Sequence, residues 1–271
     1  MKIKDKIVET SSFLRDKGIV EPQVGIILGT GLGKLVHEIL VEINIPYEEI
    51  PHFPLSTVES HKGCLIYGEL ENKKVLAMQG RFHFYEGYSM EQLTFPVRVM
   101  KELGIEKLLV SNAAGALNPA FRKGDIMLLD DHINFLPDNP LKGINDESMG
   151  PRFPDMSRPY SKEMNGMLKT IAEKNEIALH EGVYVAVMGP NLETRAEYRM
   201  FRSFADAVGM STVPEVIVSN HMGLDCCAVS VLTDECDPDN LHPVDISEIL
   251  EIAGKAEVKM IILFKELVKQ L

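Results

Sequence analysis

The chain has 271 residues, of which 45% are hydrophobic and 25% charged, and this composition suits a globular protein with a sizeable core. Its formal net charge of −12 disfavours general nucleic-acid binding, which needs a basic surface. No apolar run approaches the ~20 residues needed to span a bilayer, and the first residues lack the apolar segment of a secretory signal. We therefore expect neither a nucleic acid nor a membrane as a partner.

Short apolar runs alternate with helical patterns along the chain. Strands are predicted, in chain order, at 25–28, 64–70, 74–80, 107–113, 124–133, 182–189 and 226–233. Helices are predicted at 1–17, 89–103, 161–175, 194–207, 214–223 and 245–270. Most of the strands are continuously apolar, which is typical of a sheet covered on both faces. The pattern predicts an α/β fold with a mainly parallel or mixed central sheet, in one domain over 1–271.

Residues 134–160 interrupt this alternation with a stretch rich in Pro, Gly and Asp. Disorder is one interpretation, but Phe135, Leu136, Phe153 and Met156 are too apolar for a free linker. We therefore expect an ordered loop that serves function or lies at an interface.

The four cysteines, Cys64, Cys226, Cys227 and Cys236, form no C-x-x-C pair. The adjacent pair lies in an apolar run and is predicted to be buried in a strand. A zinc site with His221 is the alternative, but the ligand spacing is wrong for it, and we expect no metal site. Free buried thiols suit a reducing cytoplasm, which is the expected location.

The stretch VGIILGTGLGKL, residues 24–35, is a strand that runs into a glycine-rich turn. A dinucleotide fingerprint needs a third glycine where Lys34 stands, and a P-loop needs Ser or Thr where Leu35 stands. Both nucleotide patterns therefore fail on spacing. The remaining interpretations are a small-anion site at the start of a helix, with Thr30 between two glycines, and a tight turn without a ligand.

The stretch GRFHFYEGY follows at residues 80–88. If 80–85 is extended, Arg81, His83 and Tyr85 point to one face, and Phe82 and Phe84 point to the other. Arginine is the natural bidentate partner of phosphate, and histidine can donate a further hydrogen bond. An amphipathic edge strand with an exposed arginine is the alternative interpretation.

Further strand ends carry small or polar residues. They are Ala113, Ala114 and Gly115, then Glu193, then Ser211 with Thr212, and last Thr233 with Asp234. Ligands of open α/β sheets bind at strand ends. We therefore expect these residues to surround one site.

Seven motifs together resemble a known family, the trimeric purine nucleoside phosphorylases and their methylthioadenosine phosphorylase relatives. The motifs are GTGLG at 29–33, GRFHFYEGY at 80–88, SNAAGALNP at 111–119, GDIML with DHIN at 124–134, RFPDMS at 152–157, GPNLET at 189–194 and AVGMSTVPE at 207–215. They fall in the family's order and cover about residues 20–255. The resemblance implies the nucleoside phosphorylase fold, with a partly barrel-like sheet flanked by helices, and a homotrimer.

The resemblance also implies an activity and a set of site residues. The activity is phosphate-dependent cleavage of purine (deoxy)ribonucleosides to free base and (deoxy)ribose 1-phosphate, with inorganic phosphate as co-substrate and no cofactor. The implied phosphate-binding residues are Thr30, His61, Arg81, His83, Ala113 through its backbone, and Ser211. The implied nucleoside-binding residues are Tyr85, Leu192, Glu193, Val208, Met210, Thr233, Asp234 and Ile246, with Phe153 reaching into a neighbouring subunit's site. The implied catalytic residues are His83, which Glu86 orients, Glu193 and Asp234.

Three positions depart from the 6-oxopurine-specific members of the family. Asp234 stands where those members have Asn, while the methylthioadenosine relatives have Asp but lack the equivalent of Glu193. Ile246, or Ser247 if the register shifts by one, stands where many members have a His that contacts the ribose 5′-hydroxyl. Leu192 replaces a Phe. We therefore expect relaxed 6-oxo and 6-amino specificity, with a 5′-methylthioadenosine or 5′-methylthioinosine phosphorylase as the alternative.

Two other classes of protein remain as competing hypotheses. A nucleotide- or NAD-binding module would use the loop at 29–33, and a non-catalytic nucleoside binder would show affinity without turnover. The combination of Arg81, His83 and Glu193 argues against the second class.

Overall fold

The strands form one mixed sheet in the computed structural model, which describes residues 1–57 and 62–271. Within these residues the strands are β1 (Val24–Leu28), β2 (Leu40–Pro46), β3 (Cys64–Leu70), β4 (Lys73–Gln79), β5 (Lys107–Ala116), β6 (Ile126–Asn134), β7 (Leu179–Ala186), β8 (Ala207–Gly209) and β9 (Asp225–Glu235). The α-helices are α1 (Ile3–Asp16), α2 (Met90–Glu102), α3 (Lys162–Lys174), α4 (Arg195–Phe201), α5 (Val213–His221) and α6 (Ile246–Gln270).

The sheet order is β2-β3-β4-β1-β5-β8-β7-β6-β9, and β5 also pairs with β9. This additional pairing closes β5, β8, β7, β6 and β9 into a barrel, from which the other strands extend as an open sheet. Strand β1 is parallel to β4 and β5, whereas β2 with β3 and β3 with β4 are antiparallel. The predicted α/β class with a mixed, partly barrel-like sheet is confirmed.

Apolar side chains cover both faces of the sheet, as the continuous apolar runs predicted. In β1, Ile27 belongs to one buried cluster, and Val24, Ile26 and Leu28 belong to another. Strand side chains alternate between faces, so each face needs its own layer of packing. None of the helices within the described ranges is long and apolar enough to cross a membrane.

Most predicted elements match the structure, and β3 matches it residue for residue. Strand β2 was missed because it lies at the sheet edge, is mostly exposed and has an irregular register near Val41, so it carries no continuous apolar run. The helix predicted at 194–207 is too long. It ends at Phe201, and Ala207–Gly209 forms β8 between β5 and β7.

The long loop between β6 and α3 is confirmed as a segment without helix or strand from 135 to 161. Leu136 and Tyr160 are buried, and Met156 packs against the core. Phe153, by contrast, is 88% exposed. The loop is therefore anchored to the body of the protein and presents an aromatic side chain outward.

All four cysteines are free thiols, and the predicted burial of Cys226 and Cys227 in a strand is confirmed in β9. Across the described part of the chain, no group of three His, Cys, Asp or Glu side chains could hold a metal ion.

Candidate active site

One cavity, of about 190 Å³, brings together most of the predicted site residues. These are Thr30, Arg81, His83, Tyr85, Ala113, Leu192, Glu193, Val208, Met210, Ser211, Thr233, Asp234 and Ile246. The cavity lies where β5, β8 and β9 end, between the loop after β1 and the first turns of α6. Strand ends therefore form the site, as expected.

The glycine-rich loop forms one wall of the cavity through Thr30. A Cβ at Gly29 would lie 2.7 Å from the carbonyl oxygen of Ser111, so only glycine lets β1 end so close to β5. Gly31 has a φ of +72°, a left-handed conformation that glycine adopts without strain. The Gly29 N–H donates to Ser111 Oγ at 3.3 Å, which fixes the start of the loop.

The helix expected after this loop is a short 3₁₀ helix, Lys34–Glu38. Its first N–H, from Lys34, donates to Glu257 Oε1 at 2.5 Å. This N–H is therefore not available to an anion, because a carboxylate of the protein already accepts it, and the small-anion interpretation of the rest of the loop stays a prediction. The contribution of the loop to the cavity is made by Thr30.

Arg81 is the most deeply buried cation of the site, at 1% exposure. Its Nε donates to Glu215 Oε1 at 3.1 Å, and its Nη2 lies 3.0 Å from the same oxygen. Its Nη1 donates to the carbonyl oxygen of Ser111 at 2.9 Å, to Ser211 Oγ at 3.1 Å and to Thr212 Oγ1 at 3.3 Å. The alternative of an exposed arginine on an edge strand is therefore wrong, and the guanidinium is held in one orientation.

Thr212 has a φ of +72°, which is rare for a β-branched residue and costs on the order of 1–3 kcal/mol. Its hydroxyl also accepts from Asn112 Nδ2 at 2.9 Å. Pro214 follows in the first turn of α5. The strained residue thus turns the chain from Ser211 into α5 and places Glu215 beside Arg81.

His83 is fixed by Glu86, as predicted. Glu86 Oε1 accepts from the His83 backbone N–H at 2.7 Å and lies 3.0 Å from His83 Nδ1. Burial raises the pKa of Glu86, but hydrogen bonds from His83 and Thr57 outweigh it and lower the pKa to about 2. The carboxylate therefore stays ionised and orients the ring at neutral pH.

The backbone at 80–85 differs from the predicted extended strand. His83 is extended, but Phe84–Glu86 form a 3₁₀ turn. His83 and Tyr85 still face the cavity, with their rings stacked at 4.8 Å, while Phe82 is buried in the core. The prediction of a shared face is right, although the predicted local geometry is wrong.

Two carboxylates lie at the other end of the cavity. Burial raises the pKa of Glu193, and the charge of Asp234 raises it further, while a hydrogen bond from Tyr198 opposes the shift. Asp234 Oδ1 accepts from Thr233 Oγ1 at 3.2 Å, and Asp234 Oδ2 accepts from Cys236 Sγ at 3.2 Å. Both oxygens of Asp234 thus already act as acceptors.

The rim of the cavity is apolar and open. Leu192 is 44% and Ile246 64% exposed, and Ile249 lies one helical turn further along α6. A neighbouring cavity of about 300 Å³ shares Tyr198, Thr233, Asp234 and Ile249 with the first.

Two further predicted residues need separate mention. His61 falls in 58–61, outside the described residues. Phe153 lines a different cavity, together with His132 and Arg152. Its predicted role in a neighbouring subunit's site stays a prediction.

Several residues of the site were not predicted. Glu215 is the last residue of the AVGMSTVPE motif, and its signal is a lone carboxylate among the apolar residues of the first turns of α5. Asn112, Tyr198 and Cys236 line the cavity without a distinctive sequence signal.

The arrangement pairs an anion-binding end with an acidic end. Arg81, His83, Thr30 and Ser211 can bind a phosphate through a cation and hydrogen-bond donors. Glu193 and Asp234 can accept hydrogen bonds from a heterocyclic base. A small molecule between the two ends would be within reach of both.

Comparisons with known proteins agree with this chemistry. The phosphorylase superfamily model matches residues 23–269. Purine nucleoside phosphorylase 1 of Bacillus subtilis (strain 168) is 48% identical over 269 residues, which is 99% of each chain. The purine nucleoside phosphorylase of Mus musculus is 48% identical over 255 residues, covering 91% of this chain and 88% of the relative.

Solved structures give the same result. Isoform 2 of the Schistosoma mansoni purine nucleoside phosphorylase, in complex with cytosine and ribose-1-phosphate, superposes with a TM-score of 0.94 at 39% identity, covering 98% of this chain and 96% of that one. A Schistosoma mansoni purine nucleoside phosphorylase in complex with adenosine gives a TM-score of 0.92 at 39% identity, with 98% and 97% coverage. The chain therefore belongs to the phosphorylase superfamily.

Proposed function

We propose that this chain is a purine nucleoside phosphorylase, a pentosyltransferase that moves the sugar of a purine (deoxy)ribonucleoside from the base to inorganic phosphate. The products are the free base and (deoxy)ribose 1-phosphate. The observation that carries the proposal is one cavity with Arg81 and Ser211 at one end and Glu193 and Asp234 at the other. Purine nucleoside phosphorylases that are 48% identical over almost the whole chain support it.

The phosphate-binding end supplies the nucleophile. A phosphate oxygen attacks C1′ while the glycosidic bond breaks and its electron pair leaves with the purine, so no protein nucleophile or cofactor is required. Arg81, His83, Thr30, Ser211 and the Ala113 N–H hold the phosphate, and His61 belongs to the same proposed set. Because Glu215 and Glu86 hold Arg81 and His83, the groups are oriented before phosphate arrives.

The acidic end stabilises the leaving base. Cleavage builds positive charge on the sugar and negative charge on the purine. Glu193, when ionised, accepts a hydrogen bond from the N1–H of a 6-oxopurine. Asp234 shares a proton with N7 or accepts from a 6-amino group, and Thr233 steadies it at 3.2 Å. The proton shared between Asp234 and N7 is bound more strongly by the purine as negative charge develops there, and this contact accelerates the reaction, whereas the Glu193 contact orients the base.

The sugar lies between the two ends. Tyr85 and Met210 contact the ribose, and Val208 and Leu192 pack against the base. Burial raises the pKa of Tyr85 to about 12, so its hydroxyl stays neutral and can both donate and accept. A homotrimer is part of the proposal, with Phe153 of one subunit completing a neighbour's site, and the 88% exposure of Phe153 leaves it available for such a contact.

The combination of Glu193 with Asp234 supports relaxed base specificity. Glu193 favours 6-oxopurines such as hypoxanthine and guanine, while Asp234 favours the 6-amino group of adenine. Among relatives, one schistosome purine nucleoside phosphorylase was solved with hypoxanthine and one with adenosine.

A second candidate function is 5′-methylthioadenosine or 5′-methylthioinosine phosphorolysis. The observation that favours it is the apolar rim, where Ile246 and Ile249 line the cavity. An apolar wall suits a methylthio group better than a hydroxyl, which would lose hydrogen bonds to water there.

Initial rates on inosine, guanosine, adenosine and 5′-methylthioadenosine, each with and without phosphate, test both functions. We expect phosphate-dependent release of base from inosine and guanosine, and measurable release from adenosine. No phosphate-dependent release from any of the four would refute the enzyme. Inert adenosine would refute the role given to Asp234. Preference for the methylthio substrate would select the second candidate.

The proposal treats residues 1–271 as one catalytic domain located in the cytoplasm. The four free cysteines suit a reducing compartment.

A further inference from the structure

Glu257 is a fully buried carboxylate on α6 that does not line the cavity. Its Oε1 accepts from the Lys34 backbone N–H at 2.5 Å. Its Oε2 has no hydrogen-bond partner among the described residues and lies 3.9 Å from Lys34 Nζ. A buried carboxylate is costly, and an apolar side chain of this size would fill the space without that cost. A carboxylate at this position is therefore expected to have a role, and its contact with Lys34 indicates that role.

The contact lies at the end of the glycine-rich loop. Lys34 Nζ also donates to the carbonyl oxygen of Gly254 at 3.2 Å, so two groups of Lys34 bind α6. A Cβ placed on Gly31 would lie 3.0 Å from Ala253 Cβ, which shows that the middle of the loop rests on the same helix. Helix α6 thus packs against the loop through Ala253, Gly254 and Glu257.

The other attachments of the loop come from the sheet. Gly29 N–H donates to Ser111 Oγ at 3.3 Å, and Gln79 Nε2 donates to the carbonyl oxygen of Gly33 at 3.2 Å. Thr30, which lines the cavity, lies between these attachments. Glu257 is the attachment formed with a charged acceptor, and hydrogen bonds of this kind are shorter and stronger than neutral ones.

The pKa of Glu257 is raised, because burial outweighs the hydrogen bonds from the backbone N–H groups of Lys34 and Leu35 and the charge of Lys34, which lower it. The contacts that favour the ionised form are thus all made with the segment that follows the loop.

From this geometry we infer that Glu257 is a positioning residue for phosphate binding. It fixes the end of the glycine-rich loop, so that Thr30 faces the phosphate in one orientation. The inference rests on the proposed function, in which Thr30 binds phosphate. Because Ile246 and Ile249 of the same helix line the rim, α6 connects the loop to the nucleoside side of the site.

The test compares Glu257→Leu, which keeps the volume and removes the acceptor, with Glu257→Gln, which keeps an acceptor oxygen. KM is measured for phosphate at saturating inosine, and for inosine at saturating phosphate. We expect Glu257→Leu to raise the phosphate KM about tenfold, the effect of losing one hydrogen bond to a charged group, and to change the inosine KM less than about twofold. Glu257→Gln should stay within about threefold of wild type in both.

Glu251→Leu is the matched control, because Glu251 is exposed on the same helix and pairs with Lys255. It should leave both KM values unchanged. A phosphate KM equal to that of wild type in folded Glu257→Leu overturns the inference, and so does an equal rise in both KM values. If Glu257→Leu does not fold, Glu257→Asp withdraws the acceptor by one methylene, and an unchanged phosphate KM there also overturns it.

Assays of the wild-type enzyme with and without phosphate distinguish a failure of this inference from a failure of the proposed function. If it cleaves inosine only when phosphate is present, the function stands, and the Glu257 variants decide the inference alone. If wild type cleaves inosine without phosphate or not at all, the proposed function fails first.

Discussion

Asp234→Asn should shift the base preference toward 6-oxopurines. Asp234 uses both carboxylate oxygens as acceptors, from Thr233 Oγ1 and from Cys236 Sγ, each at 3.2 Å. An ionised Asp therefore offers no donor to O6 of hypoxanthine, but it can accept from the 6-amino group of adenine. Asn keeps one oxygen and places an N–H₂ group at the other position. The substitution thus exchanges an acceptor for a donor without changing the size of the side chain.

The size of the effect follows from the hydrogen bond that is exchanged. A hydrogen bond to a charged group contributes about 1.5–3 kcal/mol, which corresponds to roughly 10- to 150-fold in a rate constant. We expect the ratio of kcat/KM for inosine to kcat/KM for adenosine to rise by that factor in Asp234→Asn. The gain on inosine should be smaller than the loss on adenosine, because the proposed contact of Glu193 with the 6-oxopurine is the same in both enzymes.

The assay measures initial rates on both nucleosides at saturating phosphate. Asp237→Asn is the control, because Asp237 pairs with Arg202 at 3.3 Å and lines only the neighbouring cavity. Its specificity ratio should stay within about twofold of wild type. An unchanged or lower ratio in folded Asp234→Asn would refute the assignment of Asp234 to the 6-position of the base.

Three further predictions concern Glu215, Glu193 and Glu86. Glu215→Ala leaves the buried guanidinium of Arg81 without its carboxylate partner, so the free energy of unfolding measured in urea should fall by about 3–5 kcal/mol and the phosphate KM should rise. A free energy of unfolding equal to that of wild type would contradict this. Because burial raises the pKa of Glu193, kcat/KM for inosine should fall as pH decreases through a value above that of an ordinary Glu, and a pH profile of Glu193→Gln should lack this limb. The pKa of Glu86 is lowered to about 2, so Glu86 adds stability above its ordinary pKa of 4.5, and this stability is lost as pH falls toward 2. The free energy of unfolding of Glu86→Gln should therefore depend less on pH between 4.5 and 2 than that of wild type. Equal slopes of unfolding free energy against pH in the two proteins would contradict this.

The sequence predicted the parts of the fold that local patterns control. Strand β3 is a bounded, mostly apolar run, and α2 begins at Met90 after the N-cap Ser89, which forms a capping box with Gln92, so both were found. Strand β8 has three residues and exists because β5 and β7 lie on either side of it. No local pattern encodes such a strand.

The candidate site divides in the same way. Arg81 and His83 were found because they alternate with buried aromatics, and the resemblance supplied Glu193 and Asp234. Glu86, which orients His83, was predicted, but Glu215 and Glu257 were not, because they lie 134 and 223 residues from Arg81 and Lys34 in the sequence. Which carboxylate accepts from which donor depends on the closure of the sheet and on the path of α6. The spacing of residues in the sequence predicts neither.

The two ends of the cavity differ in how deeply they belong to the core. Arg81, Ser211 and Glu215 are buried, whereas Leu192 and Ile246 are largely exposed. Substitutions in the first group disturb packing and buried charge, and those in the second mainly change what the ligand touches. In the proposed function, this geometry makes the phosphate-binding residues hard to substitute and the exposed residues at the nucleoside rim easier to vary. Variants at Leu192 and Ile246 could therefore be screened for activity on new nucleoside analogues, because these substitutions should leave the folding of the protein and its proposed use of phosphate intact.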